Sequence, residues 1–296
     1  MELYCTSEQE KKRINSSFNI TEEEIAEKFK LLKEWVESTP HLPLESKEQD
    51  FLQIMLLRGK FNVDQAKTKI ENYFSYISRY PEFYRPLGTF QPSQEIGHVV
   101  VLPKRGPNLE RIIICKLSFK TSEEDSIDIE RCILTAVSTA ILMYVKDYNS
   151  VCQVLVDFKG VKISHLQKLN LNNIHKLYNM YENAFKFRIS SLDLIHAPHL
   201  ATLIFQLSKL ILKPKLISRI QIHEDLASLQ KKLGKEYLTS DYGGELESVE
   251  ELTKIWDKII ETEQDFFNRL RELADRSKIE DCSFGVQGSF KSLNID

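Results

Sequence analysis

His196 and His199 bracket Ala197-Pro198, a spacing that would set two imidazoles on one face of a helix as metal ligands. Pro198 forbids that helical geometry, and no cluster of carboxylates or thiols accompanies the pair. It therefore reads as loop and helix-cap material, and no metal site is expected. Ser164-His165 lacks the surroundings of an activated nucleophile, His175 falls on a helical stretch rich in Asn and Tyr, and His223 follows a short strand. Cys152 lies inside an apolar run and reads as core or cavity wall. With 10 glycines in the chain, neither GxGxxG nor GxxxxGK[ST] occurs, and GxSxG is also absent. The five cysteines (Cys5, Cys115, Cys132, Cys152 and Cys282) are scattered, without metal spacing, as expected of reduced thiols. The expectation is a binding protein: no enzyme, and no cofactor.

What stands out instead is a set of cations beside an apolar helix. Leu200, Leu203, Ile204, Leu207, Leu210 and Ile211 recur at helical spacing. Lys209, Lys213, Lys215 and Arg219 crowd the far end of that stripe and the turn after it. Upstream, residues 151–157 and 189–195 read as apolar strands, and 166–185 between them as a helix. That is a β-α-β unit with parallel strands and a right-handed crossover. A basic-ended apolar helix over a sheet without a catalytic group suggests a lipid-binding cavity under a lid. On spacing alone, the same stripe could complete a solid core, and the cations could form a solvated helix end offsetting the helix dipole.

The chain has 296 residues, 42% hydrophobic and 28% charged, with a net charge of −3. It is long enough for a large core, and the charge argues against a nucleic-acid partner. No stretch approaches a membrane span and no leader or lipidation signal is read at the termini, so a cytoplasmic protein is expected, whose association with membranes would be peripheral; a monomer is the separate expectation for its oligomeric state. Capping boxes at Thr21/Glu24 and Ser248/Glu251, with Ser46/Gln49 and Asn62/Gln65, predict helix starts. Ile25, Phe29, Leu32 and Val36 line the first helix; Phe51, Leu52, Met55 and Leu56 the second; Ala66, Ile70, Tyr73 and Ile77 the third. Strands are expected at 97–102 and 111–118, a buried helix at 127–145 and one long helix at 249–274. The fold class is α/β: an N-terminal three-helix module, then an α/β sandwich with a mostly parallel sheet and an amphipathic lid helix. Boundaries are expected at 1–86, 87–275 and an irregular tail, 276–296, with 86–108 as the joint.

Val154-Leu155-Val156-Asp157-Phe158-Lys159-Gly160, Leu192-Asp193-Leu194-Ile195-His196-Ala197-Pro198 and Leu238-Thr239-Ser240-Asp241-Tyr242-Gly243-Gly244-Glu245 together resemble the CRAL-TRIO (Sec14-like) lipid-binding family. The likeness is greatest to the branch around α-tocopherol transfer protein and its arthropod relatives. It extends to 21–84, which resembles the family's N-terminal helical domain, and to Gly288-Ser289-Phe290-Lys291-Ser292-Leu293, which resembles a tail of the arthropod branch. The resemblance implies a carrier for a tocopherol-, retinoid- or isoprenoid-like lipid, whose lid helix opens at a phosphoinositide-containing membrane. A lipid-sensing adaptor that recruits a protein partner is the alternative.

On that resemblance the cavity wall falls to Leu134, Thr135 and Ser138, to Val154, Val156 and Val161, to Leu177, Met180 and Tyr181, and to Phe185, Phe187 and Leu192. The lid contributes Leu203, Ile204, Leu207, Ser208 and Ile211. Thr135, Ser138, Tyr181 and Ser208 are the hydroxyls available to orient a ligand. Arg188, Lys209, Lys215 and Arg219 match the family's phosphoinositide-binding positions. The family's arginine-rich stretch before its third N-terminal helix departs here to Leu52-Gln53-Ile54-Met55-Leu56-Leu57-Arg58-Gly59-Lys60-Phe61. Lys186 stands for a frequent proline and Ile217 for a lysine, so the resemblance implies weaker or altered headgroup recognition.

Overall fold

The computed structural model describes residues 6–80, 97–117, 129–149, 151–163, 166 and 171–279. Ser164-His165, the first part of the joint (86–96) and the tail beyond 279 lie outside the described residues.

Four helices lead the chain. α1 (Glu8–Ser16) carries no apolar period, since only Ile14 is buried, and nothing in the pattern predicts it. A Ser7/Glu10 capping box starts it. Polar contacts hold it down: Arg105 approaches Glu10, and the Tyr148 hydroxyl donates to Asn15 at 2.7 Å. α2 (Glu22–Glu37) begins at the Thr21/Glu24 capping box, and α4 (Val63–Arg79) at Asn62, whose side chain accepts the Gln65 N–H. α3 (Gln49–Arg58) starts differently from the expectation. Ser46 turns its hydroxyl back to the Pro43 carbonyl within a 3₁₀ turn, and Glu48 takes the cap position without a side-chain bond.

The sheet has five strands in the order β1-β2-β3-β4-β5, antiparallel at the first pair and parallel thereafter. β1 (Gly97–Val101) and β2 (Arg111–Leu117) precede α5 (Ile129–Lys146) and β3 (Val151–Asp157). α6 (Leu171–Met180) runs into a single π-helical turn, Tyr181–Phe185, before β4 (Arg188–Ile195). Then come α7 (Ala201–Ile211), the one-turn α8 (Pro214–Ile217), β5 (Ile220–Ile222) and α9 (Leu226–Leu233). The long helix expected near the end is two, α10 (Val249–Thr262) and α11 (Gln264–Ile279). The chain breaks at Glu263, whose N–H caps the Ile259 and Ile260 carbonyls and whose carboxylate takes an ion pair from Lys146. Beyond the break, Phe267 and Leu270 of α11 enter the main core.

That core is one continuous cluster. It runs from Ile14 and α2–α4 through β1, β2 and α5 to Trp256 on α10 and Leu270 on α11. Beside it, the fully buried Asp147 accepts from Arg111 Nε (3.0 Å) and Nη2 (2.9 Å) and from Arg105 Nη2 (3.0 Å). A buried carboxylate with this many charge-assisted donors locks the end of α5 to β2 and to the segment that meets α1.

Candidate ligand-binding site

Residues in register across parallel strands point to the same side of the sheet, and alternate residues to the other. On one side, Ile112, Ile114 and Leu155 have no exposed surface and belong to the main core. Toward β4 and β5 this side turns polar, with Gln221 and Lys232 reaching solvent and Asp193 buried beneath them. Asp193, also fully buried, accepts from Gln153 Nε2 (2.7 Å), Ser191 Oγ (2.8 Å), His223 Nε2 (2.8 Å) and the Lys232 ammonium. Burial pushes the Asp193 carboxyl up, but these hydrogen bonds outweigh it and hold it below the ordinary carboxylate value.

The other side is built differently. Two rows cross the sheet there: Ile113, Val154, Leu192 and Ile220, and Cys115, Val156, Leu194 and Ile222. Every member is apolar, and all but Leu194 keep some exposed surface. β3 has a neighbour on each side, so the exposure of Val154 and Val156 is not an edge effect. It marks an apolar face incompletely covered.

The cover over part of this face is α7. Leu200 and Ile204, with Leu203 and Leu207, pack on Val156, Phe158, Val161, Leu166, Leu194, Ile220 and Ile222 as a second cluster, separate from the main core. Ile211 is half-buried and Leu210 is 68% exposed. A 3₁₀ turn, Pro198–Leu200, leads into α7. His196, at φ 57°, anchors that turn through Nδ1 to Asp157 Oδ1 (2.7 Å) at the end of β3. His199 faces the Val161 carbonyl instead, so the two imidazoles serve the loop.

The expected wall residues thus divide between two places. Val156, Val161, Leu203, Ile204 and Leu207 meet in the α7 cluster, with Val154 and Leu192 beside them on the sheet. Met180 and Phe185 are fully buried in the main core, where Phe185 meets Tyr144 (5.2 Å) and Tyr73 (6.3 Å); Leu177 and Phe187 pack against that core. The Tyr181 hydroxyl donates to the Phe187 carbonyl at 2.7 Å, and its pKa is driven up chiefly by burial, so toward a ligand it can only accept. Ser138 is buried on α5, with Leu134 and Thr135 earlier on that helix, and Ser208 is half-buried on α7. Ile113, Cys115, Phe158, Ile220 and Ile222 join the site without having been anticipated. Their signal was the strand register, which a continuous apolar run such as Ile112-Ile113-Ile114 conceals.

The basic residues surround the far end of α7. Arg188, Lys209 and Lys215 are exposed; Arg219 is half-buried. The Arg219 guanidinium donates to the Ile189 carbonyl, and its own carbonyl accepts the Leu192 N–H at 3.0 Å, which stitches it to β4 next to Arg188. A further cationic group lies where α3 and α4 meet the turn before β4. Burial, then repulsion from Arg58, Lys186 and Lys60, lowers the Lys69 ammonium to about 8. Arg58 there is part of the packing: it donates to the Met143 carbonyl (2.8 Å) and the Tyr144 carbonyl (3.1 Å) and lies over the Tyr144 and Phe187 rings.

Among the described residues, no group of three or more His, Cys, Asp or Glu is placed to hold a metal, and no helix is long and apolar enough to cross a membrane. Alpha-tocopherol transfer protein-like proteins of Homo sapiens and Pongo abelii are 25% identical over 226 residues, and that of Mus musculus is 24% identical. The match takes in 75% of this chain and 65% of theirs, just under two thirds of those relatives' length. The crystal structure of Sfh5 covers 76% of this chain and 88% of its own at 12% identity, with a TM-score of 0.46, too loose a likeness to argue from. The model of the CRAL/TRIO domain matches residues 96–244, which take in the whole sheet together with α5–α9, and the chain belongs to that family.

Proposed function

We propose that this protein binds a small lipophilic molecule between α7 and the half-covered sheet face, and exchanges it at membranes bearing phosphoinositides. The observation that carries the reading is the incomplete cover of Val154, Val156 and Leu192 in the middle of the sheet, where their neighbours Leu155 and Asp193, facing the other way, have no exposed surface. Apolar surface of this kind gains about 25 cal/mol for each Å² that a ligand removes from water. A largely apolar site with few hydroxyls, Ser138, Ser208 and Thr135 among them, suits a tocopherol-, retinoid- or isoprenoid-like molecule better than a zwitterionic phospholipid. Likeness to alpha-tocopherol transfer protein-like proteins supports the same class.

The exposed cations Arg188, Lys209 and Lys215 support docking on an anionic leaflet, each contributing about 1 kcal/mol near the surface. Arg219 is a poorer probe of docking than Lys209 and Lys215, because its side chain also supports β4. No bond is made or broken in this reading; transfer is gated partitioning.

Native mass spectrometry of the full chain after incubation with a total lipid extract, followed by denaturing extraction, tests the cargo. A single stoichiometric hydrophobic adduct is expected; a bare protein across extracts would refute the carrier reading. Docking is tested by co-sedimentation with vesicles containing phosphatidylinositol 4,5-bisphosphate. Joint replacement of Lys209 and Lys215 with Ala should weaken sedimentation several-fold and leave the adduct in place.

A further inference from the structure

The basic end of α7 is tied to α6 by a closed ring of hydrogen bonds. The backbone N–H of Lys213, in the turn after α7, donates to Tyr178 Oη at 3.1 Å. That hydroxyl donates to Glu182 Oε1 at 2.9 Å, and the Lys213 ammonium closes the ring on Glu182 Oε2. The bond and charge of Glu182 hold the Lys213 ammonium above its ordinary pKa. Glu182 lies in the π-helical turn that ends α6, and such single turns are frequent at functional sites.

Two features make the ring suited to letting go. The Lys213 side chain is 66% exposed and that of Glu182 23%, so the ion pair lies within reach of solvent and of competing anions. Pairs of this kind are weak and screened by salt. In addition, α7 rests on a small apolar cluster of its own rather than on the main core. Its closed position therefore depends more on its end contacts than that of a helix anchored in the main core. A phosphate monoester presents the same kind of acceptor as the Glu182 carboxylate, with more charge.

We propose that Tyr178, Glu182 and Lys213 form a latch holding α7 closed, and that an anionic lipid headgroup releases it by taking Lys213 from Glu182. The proposal rests on α7 being a lid over a lipophilic cargo, and it extends that reading to Lys213 and its two partners as the residues that set how readily the lid opens. Glu182→Gln keeps the shape of the turn and removes the charge; Tyr178→Phe keeps the ring and removes the hydroxyl.

Hydrogen–deuterium exchange of α7 in the full chain, without lipid, is the test, because it needs no identified cargo. Either substitution should speed exchange of the α7 amides at least threefold while leaving α4 and α10 unchanged. Wild-type rates in α7 of both variants would overturn the latch. Vesicles of phosphatidylcholine with phosphatidylinositol 4,5-bisphosphate should speed α7 exchange in the wild type and add little in Glu182→Gln. An equal increment in both would overturn release through Lys213. Should the vesicles bind neither protein, the docking part of the proposed function and release by a headgroup would both fall, and the lipid-free rates would still decide the latch.

Discussion

The two sides of the sheet share the same strands yet are finished differently. Around Leu155 and Asp193 the buried groups are satisfied, by apolar packing or by hydrogen bonds from Gln153, Ser191, His223 and the partly exposed Lys232. Around Val154 and Val156, one residue away on the same strand, the side chains are purely apolar and yet incompletely covered. Burial on the first side contributes to stability in the usual way. On the second, apolar area is left with some access to solvent, a state that is unfavourable by itself and useful only when something else can fill it. The difference separates a side that holds the fold from a side that, in the proposed reading, is left to bind.

The sharpest way to break this contrast is to remove Asp193. Asp193→Ala takes the acceptor away from His223, Lys232, Gln153 and Ser191 at once, and should lower stability by about 3–5 kcal/mol in urea unfolding. The wild-type contribution should be present above the ordinary carboxylate pKa and fade as the pH falls through the lower folded value, because the unfolded chain takes up the proton first. Adjacent residues of β3 give the next test. Leu155→Ala should cost about 2–5 kcal/mol, whereas Val156→Ala, at a partly buried position, should cost about 1 kcal/mol or less. Equal costs would mean that both sides are solid core. Val154→Phe sharpens the point further. If the face has room, stability should stay within about 0.5 kcal/mol, while lipophile capacity falls at least tenfold. A loss of about 1–3 kcal/mol would instead signal overpacking of a filled interior.

Much of this organisation was legible because local chemistry and global fold agree. Thr21/Glu24, Asn62 and Ser248/Glu251 cap helices where their spacing says they should, and 151–157 and 189–195 pair in parallel. The apolar stripe from Leu200 to Ile211 forms α7. The failures have physical causes. α1 is held by Arg105 and Tyr148, far away in sequence, so no apolar period announces it. α3 is buried nearly all round, through Phe51, Leu52, Ile54, Met55, Leu56 and Leu57, which hides the face and leaves Ser46 looking like a cap. The division of the expected wall, with Phe185 and Met180 on the main core and Val156 under α7, depends on the π-turn and the strand register. Neither has a single-residue signature. The ring of Tyr178, Glu182 and Lys213 joins α6 to the turn after α7, contacts that only the folded chain brings together.

The smallest effect contrasts Asp193, a buried charge with its partners, against Lys69, a partly buried charge among others of its own sign. Burial first, and then Arg58, Lys186 and Lys60, brings the folded-state pKa of Lys69 from 10.5 to about 8. Below about pH 8 the ammonium is charged in both states and the folded state carries the full penalty. Between about 8 and 10.5 the unfolded chain keeps the proton that the folded chain has lost, so unfolding binds a proton and stability must rise with pH. The group is partly solvated, so the rise should be less than about 1 kcal/mol. Lys69→Met should raise the urea midpoint at pH 7 and flatten its climb from pH 8 to 9.5. A climb of unchanged slope in Lys69→Met would place its origin at another group.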